Sequence, residues 1–187
     1  MNDPIHQRGQ AMEDMFFTIN DHKLLDNIRA EMAAKEHRDA LQSASGISDT
    51  PTLDALHGCG ITPESLASVA LIPLVAVAWS DNKMEDPEKA AILKAAESAG
   101  IAVGTASYQT MESWLNNPPE SELLDTWKSY IGALKSTLEG PALNQLKNSV
   151  LGRAENVAKS AGGFLGLGNK VSDSEQGVLD DLAKAFD

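Results

Sequence analysis

Four carboxylates are grouped in one short segment near the middle of the chain, at a spacing that suits cation binding. They are Asp81, Glu85, Asp86 and Glu88. Carboxylate oxygens are the ligands that hard divalent cations prefer, and these four surround a tight turn. The segment is too short for an EF-hand loop, and it lacks the central glycine and the glutamate at the twelfth position. It therefore predicts a weak divalent-cation site, or one completed by residues from elsewhere in the chain.

The same acids have a second interpretation that requires no ligand. Asp86 is predicted as the N-cap of a helix, with Pro87 behind it and Glu88 in the first turn. Negative charge at a helix N-terminus is stabilised by the helix dipole, by a few tenths to about 1 kcal/mol. The sequence does not decide between helix capping and cation binding as the role of these acids.

The element before the acidic loop is an almost unbroken apolar run, Leu66–Trp79. Thr62 and Pro63 are typical of an N-cap and a first helical residue, so the pattern predicts a helix that starts there. A helix that is apolar nearly all round belongs in the middle of a bundle. Pro73 has no backbone N–H and is expected to kink it.

The rest of the chain predicts an all-α fold, a bundle of about seven to eight helices. Apolar residues recur every three or four positions, and no segment alternates at period two for long enough to indicate a strand. Besides the central one, the expected helices cover about residues 5–42, 52–57, 86–99, 105–115, 123–138, 143–157 and 173–186.

The first helix is long enough to form an arm, so we expect an arm at 1–48 and a helical domain at 49–187. Its apolar stripe must be buried against something, which is a protein partner, a second copy of the chain or the chain's own bundle. The stripe consists of Met12, Phe16, Ile19, Leu25, Ile28 and Met32, widened by Met15, Phe17 and Leu24.

An internal repeat relates the acidic loop to the C-terminal part of the chain. The segment from Asp81 aligns without a gap to the segment from Gly168, at an offset of about 87 residues, which is typical of a duplication. In the second copy, Ser172-x-x-Glu175 is a predicted capping box. The matched pairs are Asn82 and Asn169, Met84 and Val171, Asp86 and Asp173, Glu88 and Glu175, Ile92 and Leu179, and Ala96 and Ala183.

The chain resembles the tellurite-resistance TerB-like family over roughly residues 55–187. The family's motif, Ala-Asp-Gly, an apolar residue and then a helix-opening Glu, matches Ser80-Asp81-Asn82, Met84 and Glu88. Asn82 stands where the motif has Gly, and asparagine tolerates the left-handed conformation of such a turn. The resemblance implies a small helical bundle linked to metal or metalloid stress, a sensing or scaffolding module and not an enzyme.

Composition narrows the other classes of function. The net charge is −12, which disfavours nucleic acids and anionic lipids as partners. No apolar run reaches the 20 or so residues of a membrane span, no signal peptide is visible and Cys59 is the single cysteine. We therefore expect a cytoplasmic, non-enzymatic protein with a protein partner or self-association, which would reach a membrane only through a partner. The only cofactor that the pattern suggests is a divalent cation.

Overall fold

The computed structural model describes the backbone of residues 4–161 and 171–187, and the side chains of residues 23–160 and 171–187. Within these ranges the chain has eight α-helices, one 3₁₀ helix and no strand, which confirms the predicted all-α bundle. The helices are α1 (Pro4–Ser45), α2 (Thr50–Gly58), the 3₁₀ helix (Pro63–Leu71), α3 (Ile72–Ala78), α4 (Asp86–Ser98), α5 (Ala106–Asn116), α6 (Glu122–Lys135), α7 (Gly140–Ala161) and α8 (Asp173–Lys184).

The chain divides into two compact units, residues 1–39 and residues 40–187. This division lies inside α1, whereas the sequence predicted an arm that ends at residue 48. The last turns of α1 belong to the second unit because Leu41 is fully buried in its core, and Ile47 just after the helix is also buried. In residues 23–39 no described side chain is buried.

The apolar run before the acidic loop is buried as predicted, but it is not one continuous α-helix. Its first part is the 3₁₀ helix and its second part is α3, and the change of helix type occurs next to Pro73. Pro73 has no N–H to donate to Val69, four residues earlier, and the N–H of Ile72 donates to that carbonyl instead. Thr62 caps the 3₁₀ helix as expected, since its hydroxyl accepts from the N–H of Ser65 at 3.3 Å.

The internal repeat is visible in the packing of four helices. The first residues of α4 and α8, Asp86 and Asp173, are 87 positions apart, and each helix follows a central helix, α3 or α7. The two central helices pack on each other, α4 packs mainly on α7, and α8 packs on both α7 and α3. Met84 and Val171, the matched apolar residues before these helices, are both half-buried against the core.

Two sets of predicted features fall outside the residues that the structure describes. One is the N-terminal part of the stripe, the side chains of Met12, Phe16 and Ile19. The other is the turn of the second copy, from Gly168 to Lys170, together with the glycine-rich residues 162–167 that precede it in the sequence.

In the described part of the chain, no single helix has the length and apolar content needed to cross a membrane. One bent pair, Thr50–Gly58 with Pro63–Ala78, passes that test together, and its two parts meet at 87°.

Candidate acidic site

The candidate site begins with a turn formed by Asp81 and Asn82. Asn82 has a φ of 63°, which confirms the left-handed conformation expected of it. Its N–H donates to the carbonyl of Trp79 at 2.9 Å, and the N–H of Lys83 donates to Oδ1 of Asp81, also at 2.9 Å. The Asp81 carboxylate is exposed to solvent and already has a role in closing the turn.

Glu88 is the one acid of the predicted set that is buried, with 3% of its surface exposed. Its Oε2 accepts from the N–H of Glu85 at 2.8 Å, so the side chain reaches back over the first turn of α4. The N-cap is Glu85, and the prediction that Asp86 would be the cap is wrong by one residue. Asp86 is therefore the first helical residue and Pro87 the second, where its missing N–H is one of those that the helix itself leaves without a partner.

Glu175 occupies the equivalent place at the start of α8 and is also buried, at 7% exposed. Its Oε2 accepts from the N–H of Ser172 at 2.6 Å, and its own N–H donates to the Ser172 hydroxyl at 3.2 Å. These two bonds confirm the capping box that the sequence predicted. Both matched glutamates are therefore buried caps.

The two copies place these glutamates within electrostatic reach of each other. The pKa of Glu88 rises from 4.5 to about 7, first because burial penalises the charged form, and further because the carboxylates of Glu175, Glu85 and Asp81 repel a charge there. The hydrogen bond from Glu85 opposes this shift. Asp86 is exposed and is not among the charges that raise this pKa.

The arrangement is suited to holding a proton near neutral pH more than to holding a metal ion. Among the side chains that the structure describes, no group of three or more His, Cys, Asp or Glu residues is placed to bind a metal. The cation site at Asp81, Glu85, Asp86 and Glu88 stays a prediction. Two of these acids, Asp81 and Glu85, do act on Glu88 through their charges, and so does Glu175.

The convergence of Glu88 with Glu175 was missing from the sequence interpretation, which treated the second glutamate as a cap only. The signal that could have found it is the duplication. The matched residues Glu88 and Glu175 stand at the starts of α4 and α8, and both of these helices pack against α3 and α7.

No protein-family model, no curated protein and no solved structure matches this chain. The resemblance to TerB-like proteins therefore depends on the motif residues alone, and it stays a prediction.

Proposed function

We propose that this chain is a non-enzymatic interaction module that associates with a second copy of itself through α1. The observation that supports this most is an exposed apolar face on the helix. Four large apolar side chains within two and a half turns are between 43% and 60% exposed: Leu24, Leu25, Ile28 and Met32. Helices gain most of their stability by burying such a face, so an apolar face that is exposed to solvent indicates an interaction surface.

The positions of these residues place them on one side of the helix. At 100° per residue, Leu24, Ile28, Met32 and Leu25 fall within an arc of about 100°, which is the width of a core-facing stripe. Burying the exposed remainder of four such side chains would contribute roughly 4 kcal/mol per chain, at about 1 kcal/mol for half of a large apolar side chain. That is enough for a reversible association if the stripe continues towards the N-terminus.

The distribution of charge along the chain favours a second copy as the partner of the apolar face of α1. Residues 23–39 are electrically neutral, with four basic residues (Lys23, Arg29, Lys35 and Arg38) and four acidic ones (Asp26, Glu31, Glu36 and Asp39). Residues 40–187 contain ten basic and nineteen acidic residues, so two copies of that unit repel each other. A neutral segment of alternating sign is complementary to itself, and it is the part where two copies approach at the lowest electrostatic cost.

Sedimentation velocity of full-length variants tests the proposal. Replacing Leu24 and Ile28 by glutamine removes apolar surface and keeps a good helix former, so the variant should sediment as a monomer at concentrations where the wild type associates. The control is Val103→Gln, which removes an 81%-exposed apolar side chain from the other unit and should leave association unchanged. A wild type that stays monomeric at all concentrations, or a double variant that associates equally well, refutes the proposal.

A second candidate function is weak divalent-cation binding at the acidic loop, in keeping with the resemblance to TerB-like proteins. The observation in its favour is that the carboxylates of Asp81, Glu85 and Glu175 repel a charge on Glu88, and a cation beside them would relieve this repulsion. Burial is the larger cause of the raised pKa, and among the described side chains no three acids are already placed around one metal position, so any site would form only as the cation binds.

Calorimetric titration with calcium, magnesium, manganese and zinc tests this second candidate. Asp81→Asn should weaken cation binding while keeping an oxygen that can accept from Lys83. Asp173→Asn, at the first residue of α8, is the control and should bind as the wild type does. Equal affinities for wild type and Asp81→Asn would eliminate the site.

A further inference from the structure

A second feature of the 40–187 unit, independent of α1 and of the acidic loop, is an apolar cavity. It lies between the 3₁₀ helix, α6 and α7 and has a volume of about 410 Å³, within the range of small-molecule sites. Seven of its lining residues are large and apolar, among them Leu66 on the 3₁₀ helix, Trp127 and Leu134 on α6, and Leu146 on α7. Trp127 is held by an edge-to-face contact with Phe186, with ring centroids 5.8 Å apart, so this wall is fixed by the core behind it.

The opposite wall of the cavity is the 3₁₀ helix. It is nine residues long, whereas 3₁₀ runs beyond three or four residues are uncommon because their hydrogen bonds are poorer. Ala67 and Ala70 line the cavity and are also exposed to solvent, so they lie at its opening. The cavity is therefore accessible, and small side chains border its entrance.

One cation lines this cavity and has no acidic partner in the described part of the chain. Nε of Arg153 donates to the carbonyl oxygen of Ser149 at 3.2 Å, which leaves the two terminal nitrogens of the guanidinium for another acceptor. No ion pair within the described ranges includes Arg153, although the chain contains 27 Asp and Glu residues. Tyr130 adds a half-buried hydroxyl to the lining, and burial raises the pKa of that hydroxyl, so it is a neutral donor.

Arg153 also borders a neighbouring cleft between α4 and α7. That cleft has a volume of about 420 Å³, and its polar lining includes Lys94, Ser98 and Asn156. Among the described residues, neither the cavity nor the cleft is lined by a carboxylate. The cavity and the cleft meet at Arg153. Among the described residues that line them there are two positive side chains, Arg153 and Lys94, and no carboxylate, although the unit as a whole is strongly acidic.

We propose that the cavity binds a single-chain fatty acid, with the alkyl chain among the apolar residues and the carboxylate on Arg153. A guanidinium binds a carboxylate through two parallel N–H bonds, and this pairing is stronger than neutral hydrogen bonds. The apolar lining excludes a purely polar anion, and the uncompensated arginine distinguishes an acid from a neutral lipid. The inference does not depend on self-association, since none of the lining residues belongs to α1.

Calorimetric titration of the full chain with dodecanoate, below its micelle concentration, tests the head-group part of the proposal. Dodecanol and dodecyltrimethylammonium provide the same chain with a neutral and a cationic head. Saturable binding of one dodecanoate is expected, and Arg153→Gln should weaken it at least tenfold. The control is Lys159→Gln, the same change of charge on the same helix at a residue already paired with Glu155 at 3.0 Å; it should leave binding unchanged.

A second variant tests the location. Ala70→Phe places a large side chain at the opening without replacing a buried one, so it should abolish dodecanoate binding and leave the unfolding midpoint near that of the wild type. Ala102→Phe, at an exposed alanine outside this cavity, is its control. Three results would overturn the proposal: no saturable binding, equal affinity for the cationic amphiphile, or Arg153→Gln and Ala70→Phe both binding as the wild type does.

Discussion

At the residue scale, the main feature is a buried glutamate that serves as a helix cap and is repelled by three other carboxylates. Glu88 accepts one backbone N–H, yet burial and the charges of Glu175, Glu85 and Asp81 raise its pKa to about 7. The structure therefore places an acid that titrates near neutral pH where the two copies of the repeat meet.

This pKa makes stability depend on pH. Between about pH 4.5 and pH 7 the folded state keeps the Glu88 proton while the unfolded chain releases it, so stability falls as pH rises and levels off above pH 7. Glu88→Gln keeps an acceptor for the Glu85 N–H and removes the charge. It should raise the free energy of unfolding at pH 8 by roughly 1–3 kcal/mol, and by less at pH 5.5.

Urea unfolding at several pH values measures this effect. The control is Asp86→Asn, which removes a neighbouring exposed charge that does not act on Glu88. A Glu88→Gln variant that is less stable than the wild type at pH 8 would show that the carboxylate is charged and favourably paired in the folded state.

The turn residue Asn82 gives a second prediction at this scale. Its φ of 63° is costly for residues with a Cβ, and asparagine tolerates it better than alanine does. Asn82→Ala should lower the free energy of unfolding by about 1–2 kcal/mol, whereas Asn82→Gly should stay close to the wild type. Equal losses for both variants would indicate that the Asn82 side chain, and not its backbone conformation, matters.

At the scale of elements, the two repeated helices start with the same device but different capping residues. Ser172 uses its hydroxyl to accept from the N–H of Glu175, so Ser172→Ala should lower the free energy of unfolding by about 1 kcal/mol. Ser129→Ala, in the interior of α6, is the comparison and should be nearly neutral because alanine is the better helix former. Chemical denaturation of both variants decides; a harmless Ser172→Ala would mean that Glu175 holds the helix start by itself.

The sequence predicted most elements because their signals are local. Thr62 and Ser172 are followed by helices, as their predicted capping implies, and Gly100, with a φ of 76°, follows the end of α4. The 3₁₀ helix was not predicted, since periodicity alone does not distinguish three from 3.6 residues per turn over a wholly apolar segment. Pro73 was the signal, and it was interpreted as a kink.

At the scale of the whole molecule, sequence patterns did not reveal which side chains from distant segments meet. The cavity beside Arg153 combines residues from the 3₁₀ helix, α6 and α7. The effect of the Glu175 charge on the pKa of Glu88 depends on how α4 and α8 pack around α3 and α7. The repeat indicated that two similar units exist. Only the packing shows that the charge of one buried glutamate acts on the other and that, among the side chains the structure describes, Arg153 has no acidic partner.

The two units of the chain differ in burial and in charge. Residues 40–187 form a core of buried apolar side chains around α3 and α7, and residues 23–39 present a neutral, exposed face with no buried side chain. A helical segment with no buried residue among its described side chains, 23–39, gains stability from a partner, and the charge pattern of this segment suits an identical one.

An inter-chain distance measurement tests self-association through α1 most directly. A spin label on Ala33→Cys, in a chain that also carries Cys59→Ser, reports on α1 from outside its apolar arc and so leaves the proposed interface intact, while one on Ala102→Cys reports on the other unit. Two helices in contact are about 8–10 Å apart between their axes, so labels at position 33 should give a narrow inter-chain distance of roughly 20–40 Å. That signal should disappear with Leu24→Gln and Ile28→Gln. If position 33 gives no inter-chain distance at concentrations where the wild type associates, α1 is not the interface.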